Sequence, residues 1–260
     1  MLEPRQEGPE SVASQSPAAG KRPLVIAHRG ASAYRPENTC AAYALAVEQA
    51  ADMIEIDLHR TRDGAVVVAH DAELERIGGQ GEIGETTLAE LRRLDAGGGE
   101  PVPTLDEVLD RFAARLPFNL ELKQASAGPY EGLPAAALEA VESRGLLGDT
   151  LFSSFYDSVL HDLRRHAAGA RIALLVSPRA PSRWLERARA LAAEAVNPER
   201  SLVNEAFVAE AHAAGLAVYV FTVDPEREME RLIGLGVDGL FTNVPDRMRR
   251  LVGVPNPAHG

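Results

Sequence analysis

Glu55 and Asp57 stand two apart in MIEIDLH, and Glu121 and Lys123 stand two apart in FNLELK. Both stretches alternate like β-strands, in which residues i and i+2 share a face, so each pair projects together. His28-Arg29 closes the apolar run LVIA, and His70-Asp71 closes VVVA. Three carboxylates brought together and buried without partners would cost several kcal/mol each. Something positive has to meet them. A divalent cation is one answer, because an all-oxygen set of Glu55, Asp57 and Glu121 suits a hard ion, Mg2+ or Ca2+, better than zinc, which favours His and Cys. Structural ion pairs with Arg29 and Lys123 are the other. The Glu-x-Lys pair on a second strand tilts the reading toward the ion. Two histidines at strand ends beside a metal and two cations have the form of an acid–base pair, since neutral imidazole both takes and gives a proton near pH 7. Arg29 and Lys123 would then clamp a phosphate, one as a planar fork and one as a point charge. His59 shares the phase of Glu55 and Asp57; it is either a fourth ligand or, as the more ordinary expectation, a residue past the strand end that faces solvent.

The elements that must position these groups alternate strand and helix. Candidate strands are Leu24–His28, Met53–Leu58, Val66–Ala69, Phe118–Lys123, Leu151–Ser154, Ile172–Val176, Ala195–Asn197, Ala217–Thr222 and Gly239–Thr242. Capping boxes at Thr87-Leu-Ala-Glu90 and Thr104-Leu-Asp-Glu107 open two helices, and Asp224-Pro225 reads as a cap with an N1 proline for another. Parallel neighbours need a crossover of roughly a dozen residues. Only a short stretch around Thr61-Arg-Asp-Gly64 separates the second and third candidates, so Val66–Ala69 must run back beside strand 2 or leave the sheet. Eight βα units remain, the count of a (β/α)8 TIM barrel with a small insertion after strand 2, at about residues 71–103. A doubly wound open sheet has no GxGxxG after strand 1 to support it. The C-terminal ends of barrel strands are where function collects, and the polar residues above fall there.

Composition bounds what this site can serve. The chain has 260 residues, 45% hydrophobic and 25% charged, enough for one well-filled domain over 24–260. Residues 1–23 are rich in Pro, Gly, Ser and Gln and read as a disordered tail with no apolar run of the kind a signal peptide carries. A formal net charge of −11 argues against nucleic acid or an anionic membrane surface as main partner, and no apolar run is long enough to span a bilayer. Cys40 is the only cysteine, which points to a reducing, cytoplasmic setting. Oligomeric state is not legible.

The segments AHRGASAYRPENTCAAYALA, IEIDLHRTRDGAVVVAHDAELER, TLAELRRLDAG, VPTLDEVL and FNLELK resemble the glycerophosphodiester phosphodiesterase family, over about Val25 to Pro245 and most densely from His28 to Lys123. The resemblance implies a (β/α)8 barrel with a small insertion, metal ligands at Glu55, Asp57 and Glu121, acid–base histidines at His28 and His70, and phosphate contacts from Arg29 and Lys123. LFSSF and VYVFTVD are similar to later segments of that family, and place Phe155 and Phe221 either in a substrate pocket or in barrel packing. GVDGLFTNVP departs from the family pattern, with Asn243 where an acid is usual. The activity implied is metal-dependent hydrolysis of a small glycerophosphodiester to an alcohol and glycerol 3-phosphate. Attack by the glycerol 2-hydroxyl would give a cyclic phosphate that water opens, with the histidines exchanging roles. Competing expectations are lysophospholipase D-type cleavage of a lysophospholipid, proton abstraction by Lys123 as in enolase-type barrels, and a non-catalytic barrel that only binds phosphodiesters.

Overall fold

The computed structural model describes residues 22–253. The tail expected over 1–23 therefore lies outside the described residues except for Arg22 and Pro23. The chain runs β1 (Leu24–His28), α1 (Cys40–Glu48), β2 (Met53–Arg60), β3 (Val66–Val68), α2 (Leu88–Leu91), α3 (Leu105–Phe112) and β4 (Phe118–Leu122). A two-stranded hairpin follows, β5 (Gln124–Ala125) and β6 (Gly128–Pro129), then α4 (Leu133–Glu142), β7 (Thr150–Ser154), α5 (Asp157–His166), β8 (Arg171–Val176) and α6 (Trp184–Ala190). The last elements are β9 (Ala195–Pro198), α7 (Glu205–Ala213), β10 (Ala217–Val220), α8 (Glu226–Gly234), β11 (Gly239–Thr242) and α9 (Pro245–Val252).

Eight of these strands are parallel and close on themselves in the order β1, β2, β4, β7, β8, β9, β10, β11, with β11 returning to β1. This is a (β/α)8 barrel. The β3 segment pairs antiparallel with the end of β2, Leu58 opposite Val68 and Arg60 opposite Val66. The five residues between Arg60 and Val66 are too few for a parallel crossover, and of the two options left the chain takes the return beside strand 2. Inward-facing positions carry an apolar layer low in the barrel, including Ile26, Met53, Leu151, Ala173 and Phe241, and two residues beyond Ile26, Met53, Leu151 and Phe241 stand the polar His28, Glu55, Ser153 and Asn243. Outward-facing positions pack against the helices in one continuous core. Among the described residues, no helix is long and apolar enough to cross a membrane.

Residues 71–103 form two 3-10 turns and the one-turn helix α2 beside β3. They pack a small core of their own from Val67, Leu74, Ile83, Leu91 and Val102. Both sequence-read capping boxes are formed, Thr87 with Glu90 and Thr104 with Glu107. The cap read at Asp224 is not. Helix α8 starts at Glu226 with Pro225 in the cap position and no side-chain cap, because the Asp224 carboxylate is turned the other way, onto Thr242 and Asn243. The hairpin β5–β6 was not read from the sequence; strands of two residues leave no periodicity to detect.

The barrel is latched where its first and last elements meet. Asp52, just before β2, accepts from both terminal nitrogens of Arg22 at 2.8 and 2.7 Å and from the Val25 backbone N–H at 2.8 Å. It also pairs with the buried Arg249 of α9 at 2.8 Å. Burial works to raise its pKa, but these donors hold the carboxyl below its ordinary value. A group depressed in the folded state contributes stability that is full above the unfolded-state pKa, about 3.9, and is lost as pH falls below it. Asp52→Asn is expected to cost roughly 3 kcal/mol, chiefly by leaving Arg249 without its counter-charge. Urea unfolding at several pH values checks this: the gap between wild type and variant should be constant near neutrality and narrow as pH drops from 5 toward 2.

Candidate active site

The C-terminal end of β1 turns sharply. Arg29 and Gly30 both take left-handed backbone conformations, φ 56° and 83°. At Gly30 a side chain is excluded twice over, since a Cβ would lie 2.7 Å from the Ala42 backbone of α1 as well as being strained by its φ. A left-handed arginine costs on the order of 1 kcal/mol and is retained where geometry demands it. Here it aims the Arg29 N–H at Glu55 Oε2, 2.9 Å away, while the side chain crosses to Asp57.

Strand register sets the acids beside one another. Glu55 lies opposite His28 on one side and Asn119 on the other, and Asp57 lies opposite Glu121. One oxygen from each of Glu55, Asp57 and Glu121 falls within 4.8 Å of the others. Lys123 Nζ reaches Glu121 Oε1 at 2.9 Å and Asp57 Oδ1 at 3.2 Å, and Arg29 Nε reaches Asp57 Oδ2 at 3.1 Å. So both alternatives left open by the sequence are partly realised: the acids are gathered, and two of them are also paired with cations. Yet Glu55 Oε1 and Asp57 Oδ1 are buried and make no hydrogen bond. With Glu55 Oε1 unpartnered, Asp57 Oδ1 met only by the Lys123 ion pair and the Glu121 carboxylate beside them, the three acids form a hard, all-oxygen donor set, which fits a divalent cation.

The charges explain the proton affinities. Burial, with Asp57 and Glu121 close by, pushes Glu55 well above the usual carboxylate range, and burial also raises Glu121 against the pull of Lys123. Asp57 goes the other way. Burial opposes its ionisation, but Lys123 and Arg29 hold it well below the ordinary value. Asn38 adds a hydrogen bond to Asp57 Oδ2 at 2.9 Å and is itself fixed by the Tyr43 hydroxyl at 2.9 Å. Lys123 stays charged despite burial because Asp57 and Glu121 flank it.

Both expected histidines reach the same place. His28, Arg29, Glu55, His70, Glu121 and Lys123 line one cavity of about 230 Å³. Phe155 and Phe221 form its apolar wall, edge to face with ring centres 5.7 Å apart. Burial, then the neighbouring Arg29 charge, pushes the His28 imidazole down to about 4, and burial lowers His70 too, against the pull of Asp57. Each ring is anchored through Nδ1: His28 to Asn243 Oδ1 at 2.7 Å and His70 to Asp71 Oδ1 at 2.6 Å. A chain of charges runs behind them. Arg29 Nη1 meets Glu37 at 3.0 Å, Glu37 meets Arg76 at 3.0 Å, and Arg76 meets Asp71 at 2.9 Å.

His59 corrects its expectation. It is 1% exposed, faces no solvent, and is not one of the gathered oxygen ligands. Strand β2 runs on to Arg60, so His59 remains an inward residue. Its Nε2–H donates to the His70 carbonyl at 3.2 Å, which leaves Nδ1 to accept from the Tyr130 hydroxyl at 2.8 Å. Burial outweighs that carbonyl and pushes its pKa to about 4. Four further groups escaped sequence reading. Glu37 and Asn38 sit in RPENT, where no strand or helix periodicity marks them; Arg76 sits in the insertion; Asn119, whose Nδ2 donates to Ser153 Oγ at 2.8 Å, shares the face of Glu121 and could have been found by extending that face one step back.

Comparison with known proteins agrees with this geometry. Residues 28–247 match the model of the glycerophosphoryl diester phosphodiesterase family. A glycerophosphodiester phosphodiesterase of Bacillus subtilis (strain 168) is 34% identical over 258 residues, covering 88% of this chain and 86% of its own. Among solved structures, an Oleispira antarctica phosphodiesterase in complex with the product sn-glycerol-3-phosphate superposes with a TM-score of 0.80 at 34% identity, over 88% of this chain and 96% of that one. A glycerophosphodiester phosphodiesterase from Agrobacterium tumefaciens superposes with a TM-score of 0.75 at 28% identity, over 88% and 99%. With a barrel mouth of this make-up and a family match over most of its length, the chain belongs to the glycerophosphoryl diester phosphodiesterase family.

Proposed function

We propose that this protein hydrolyses small glycerophosphodiesters to an alcohol and glycerol 3-phosphate, in a cytoplasmic setting and with one divalent cation, Mg2+ or Ca2+, held by Glu55, Asp57 and Glu121. One barrel unit, expected over 24–260 with its last seven residues outside the described ones, carries the whole site in this reading, with the insertion at about 71–103. The observation that bears most weight is the charge balance of the cavity. Three carboxylates against Arg29 and Lys123 leave one net negative charge, and a divalent ion turns that into one net positive charge. This is the complement of a phosphodiester monoanion. When bound, the cation supplies positive charge to the phosphoryl oxygens and polarises a glycerol hydroxyl beside them.

The residues of the chain supply the remainder. Arg29 and Lys123 hold the two non-bridging oxygens and stabilise the charge that builds on them as the phosphorus becomes five-coordinate. One of His28 and His70 accepts the proton of the glycerol 2-hydroxyl through Nε2, and the other gives a proton to the departing alcohol. The attacking oxygen and the phosphorus belong to one molecule, so binding has already met most of the entropic cost of bringing them together. Water then opens the cyclic phosphate with the histidine roles exchanged. Phe155 and Phe221 exclude water from the side on which the leaving alcohol sits.

The reading is tested with metal-stripped protein and a panel of glycerophosphodiesters, with Mg2+ or Ca2+ added back and glycerol 3-phosphate measured. Turnover should return with one or both ions; none with any ion or substrate would refute it. Glu121→Ala should weaken the binding of that ion, read by titration calorimetry, and lower turnover by at least about 10²-fold. His70→Ala should bind the ion as wild type does and still lose on the order of 10³-fold in kcat. A substrate lacking the glycerol 2-hydroxyl should not be cleaved; an unchanged rate would replace the cyclic phosphate with direct attack by water.

A further inference from the structure

The group behind His28 is an amide, and which way round that amide sits decides which nitrogen of the imidazole carries the proton. Asn243 lies at the end of β11 with its side chain between His28 and Asp224. On one side Oδ1 is 2.7 Å from His28 Nδ1 and 2.7 Å from Ser32 Oγ. On the other side Nδ2 is 2.7 Å from Asp224 Oδ2. The remaining Asp224 oxygen accepts from the Asn243 backbone N–H at 2.8 Å and from the Thr242 hydroxyl at 3.1 Å.

An ionised carboxylate offers acceptors only. The atom of Asn243 that faces Asp224 must therefore be the amide nitrogen, since the reverse orientation would set two acceptors against each other at hydrogen-bond distance. This leaves Oδ1 toward His28, and a carbonyl oxygen can only accept. Nδ1 of His28 must then be the protonated nitrogen. Ser32 does not disturb this assignment. With Oδ1 turned this way the Ser32 hydroxyl donates to it at 2.7 Å, so Oδ1 accepts from both Ser32 and His28. Nε2 makes no hydrogen bond among the described residues, and the ring lines the cavity.

We propose that Asn243, oriented by Asp224, is the positioning residue that fixes His28 as its Nδ1–H tautomer, so that Nε2 presents a lone pair to the cavity. Asp224 does this in place of capping α8, which begins without a side-chain cap. The consequence for the reaction rests on the proposed acid–base role of His28; the tautomer itself does not. An Asn243→Leu chain keeps Asp224 on the residue 243 backbone N–H and the Thr242 hydroxyl but has no acceptor at Nδ1, and the imidazole is free to rotate or to carry its proton on Nε2, where it cannot accept.

Long-range 1H–15N correlation spectra of the 15N-histidine-labelled protein, loaded with Mg2+ or Ca2+ near pH 7.5, read the tautomer directly, with His28→Ala assigning the signals. Wild type should show a pyrrole-type Nδ1 and a pyridine-type Nε2 at His28; the opposite pattern overturns the proposal without any variant having to fold. Asn243→Leu should lose that pattern and drop kcat on the order of 10²-fold, with KM within about threefold, because the group held is used in the proton transfer and not in binding. The exchanged pair, Asn243→Asp with Asp224→Asn, keeps every donor facing an acceptor and should recover the Nδ1–H pattern and most of kcat. Asn243→Asp alone sets two carboxylates together and should recover less. Unchanged kcat and tautomer in Asn243→Leu would overturn the proposal. Full turnover in His28→Ala would instead overturn the acid–base reading of His28 and leave the tautomer assignment standing.

Discussion

Three carboxylates with oxygens inside 4.8 Å of one another, in the mouth of a barrel, are the constraint around which the rest of this structure is arranged. At that separation, and with an effective dielectric near 20, each like-charged pair repels by about 3.5 kcal/mol, before any cost of taking the groups out of water. The molecule answers in two ways. Arg29 and Lys123 are brought against Asp57, which stays ionised, and Glu55 holds its proton more tightly than a solvated carboxyl would. Neither measure gives Glu55 Oε1 a hydrogen-bond partner. The left-handed turn at Arg29-Gly30 serves the same demand, bringing the Arg29 N–H to Glu55 while its guanidinium crosses to Asp57.

The insertion after strand 2 is part of that electrostatic arrangement. Through Arg76 it is tied to Glu37 in the loop after β1 and to Asp71 beside His70. The chain of contacts from Arg29 through Glu37, Arg76 and Asp71 to His70 therefore joins the Arg29 guanidinium to an imidazole across two separate loops. Underneath, the buried His59 holds the His70 carbonyl and is held by Tyr130, from the segment after β6. His70 thus has its ring and its backbone fixed from opposite directions. Loops are the usual carriers of function because a rigid scaffold can present them, and here the scaffold reaches them through named hydrogen bonds.

The sequence revealed what depends on chain-local rules. Period-two alternation put Glu55 with Asp57 and Glu121 with Lys123, because successive strand residues must face opposite sides of a sheet. The minimum length of a parallel crossover removes Val66–Ala69 from the barrel and leaves eight strands. Where the reading failed, a partner distant in sequence had decided the outcome. His59 was expected in solvent because β2 was ended at Leu58; the antiparallel pairing with β3 extends it to Arg60 and carries His59 under the insertion. Asp224-Pro225 has the composition of a helix start, but a stronger set of donors on β11 takes the carboxylate. Glu37 and Arg76 lie in irregular chain, where only the folded structure shows what they touch.

The two histidines end in different electrostatic company although they share one cavity. His70 is backed by the Asp71 carboxylate, whose second oxygen is taken by Arg76; His28 is backed by the Asn243 amide, with the Asp224 carboxylate one residue further away. A carboxylate at hydrogen-bond distance orients an imidazole and also favours its charged form, whereas an amide orients it and adds no net charge. Around His28 the distinction matters, because Arg29 lies beside it and burial already disfavours the imidazolium. An acid at position 243 would meet Asp224 at the distance the amide now spans and would need a proton or a cation between them. With the amide there, the negative charge is held one hydrogen bond back from the ring, and the donor–acceptor sequence from Asp224 to Nδ1 of His28 stays unbroken.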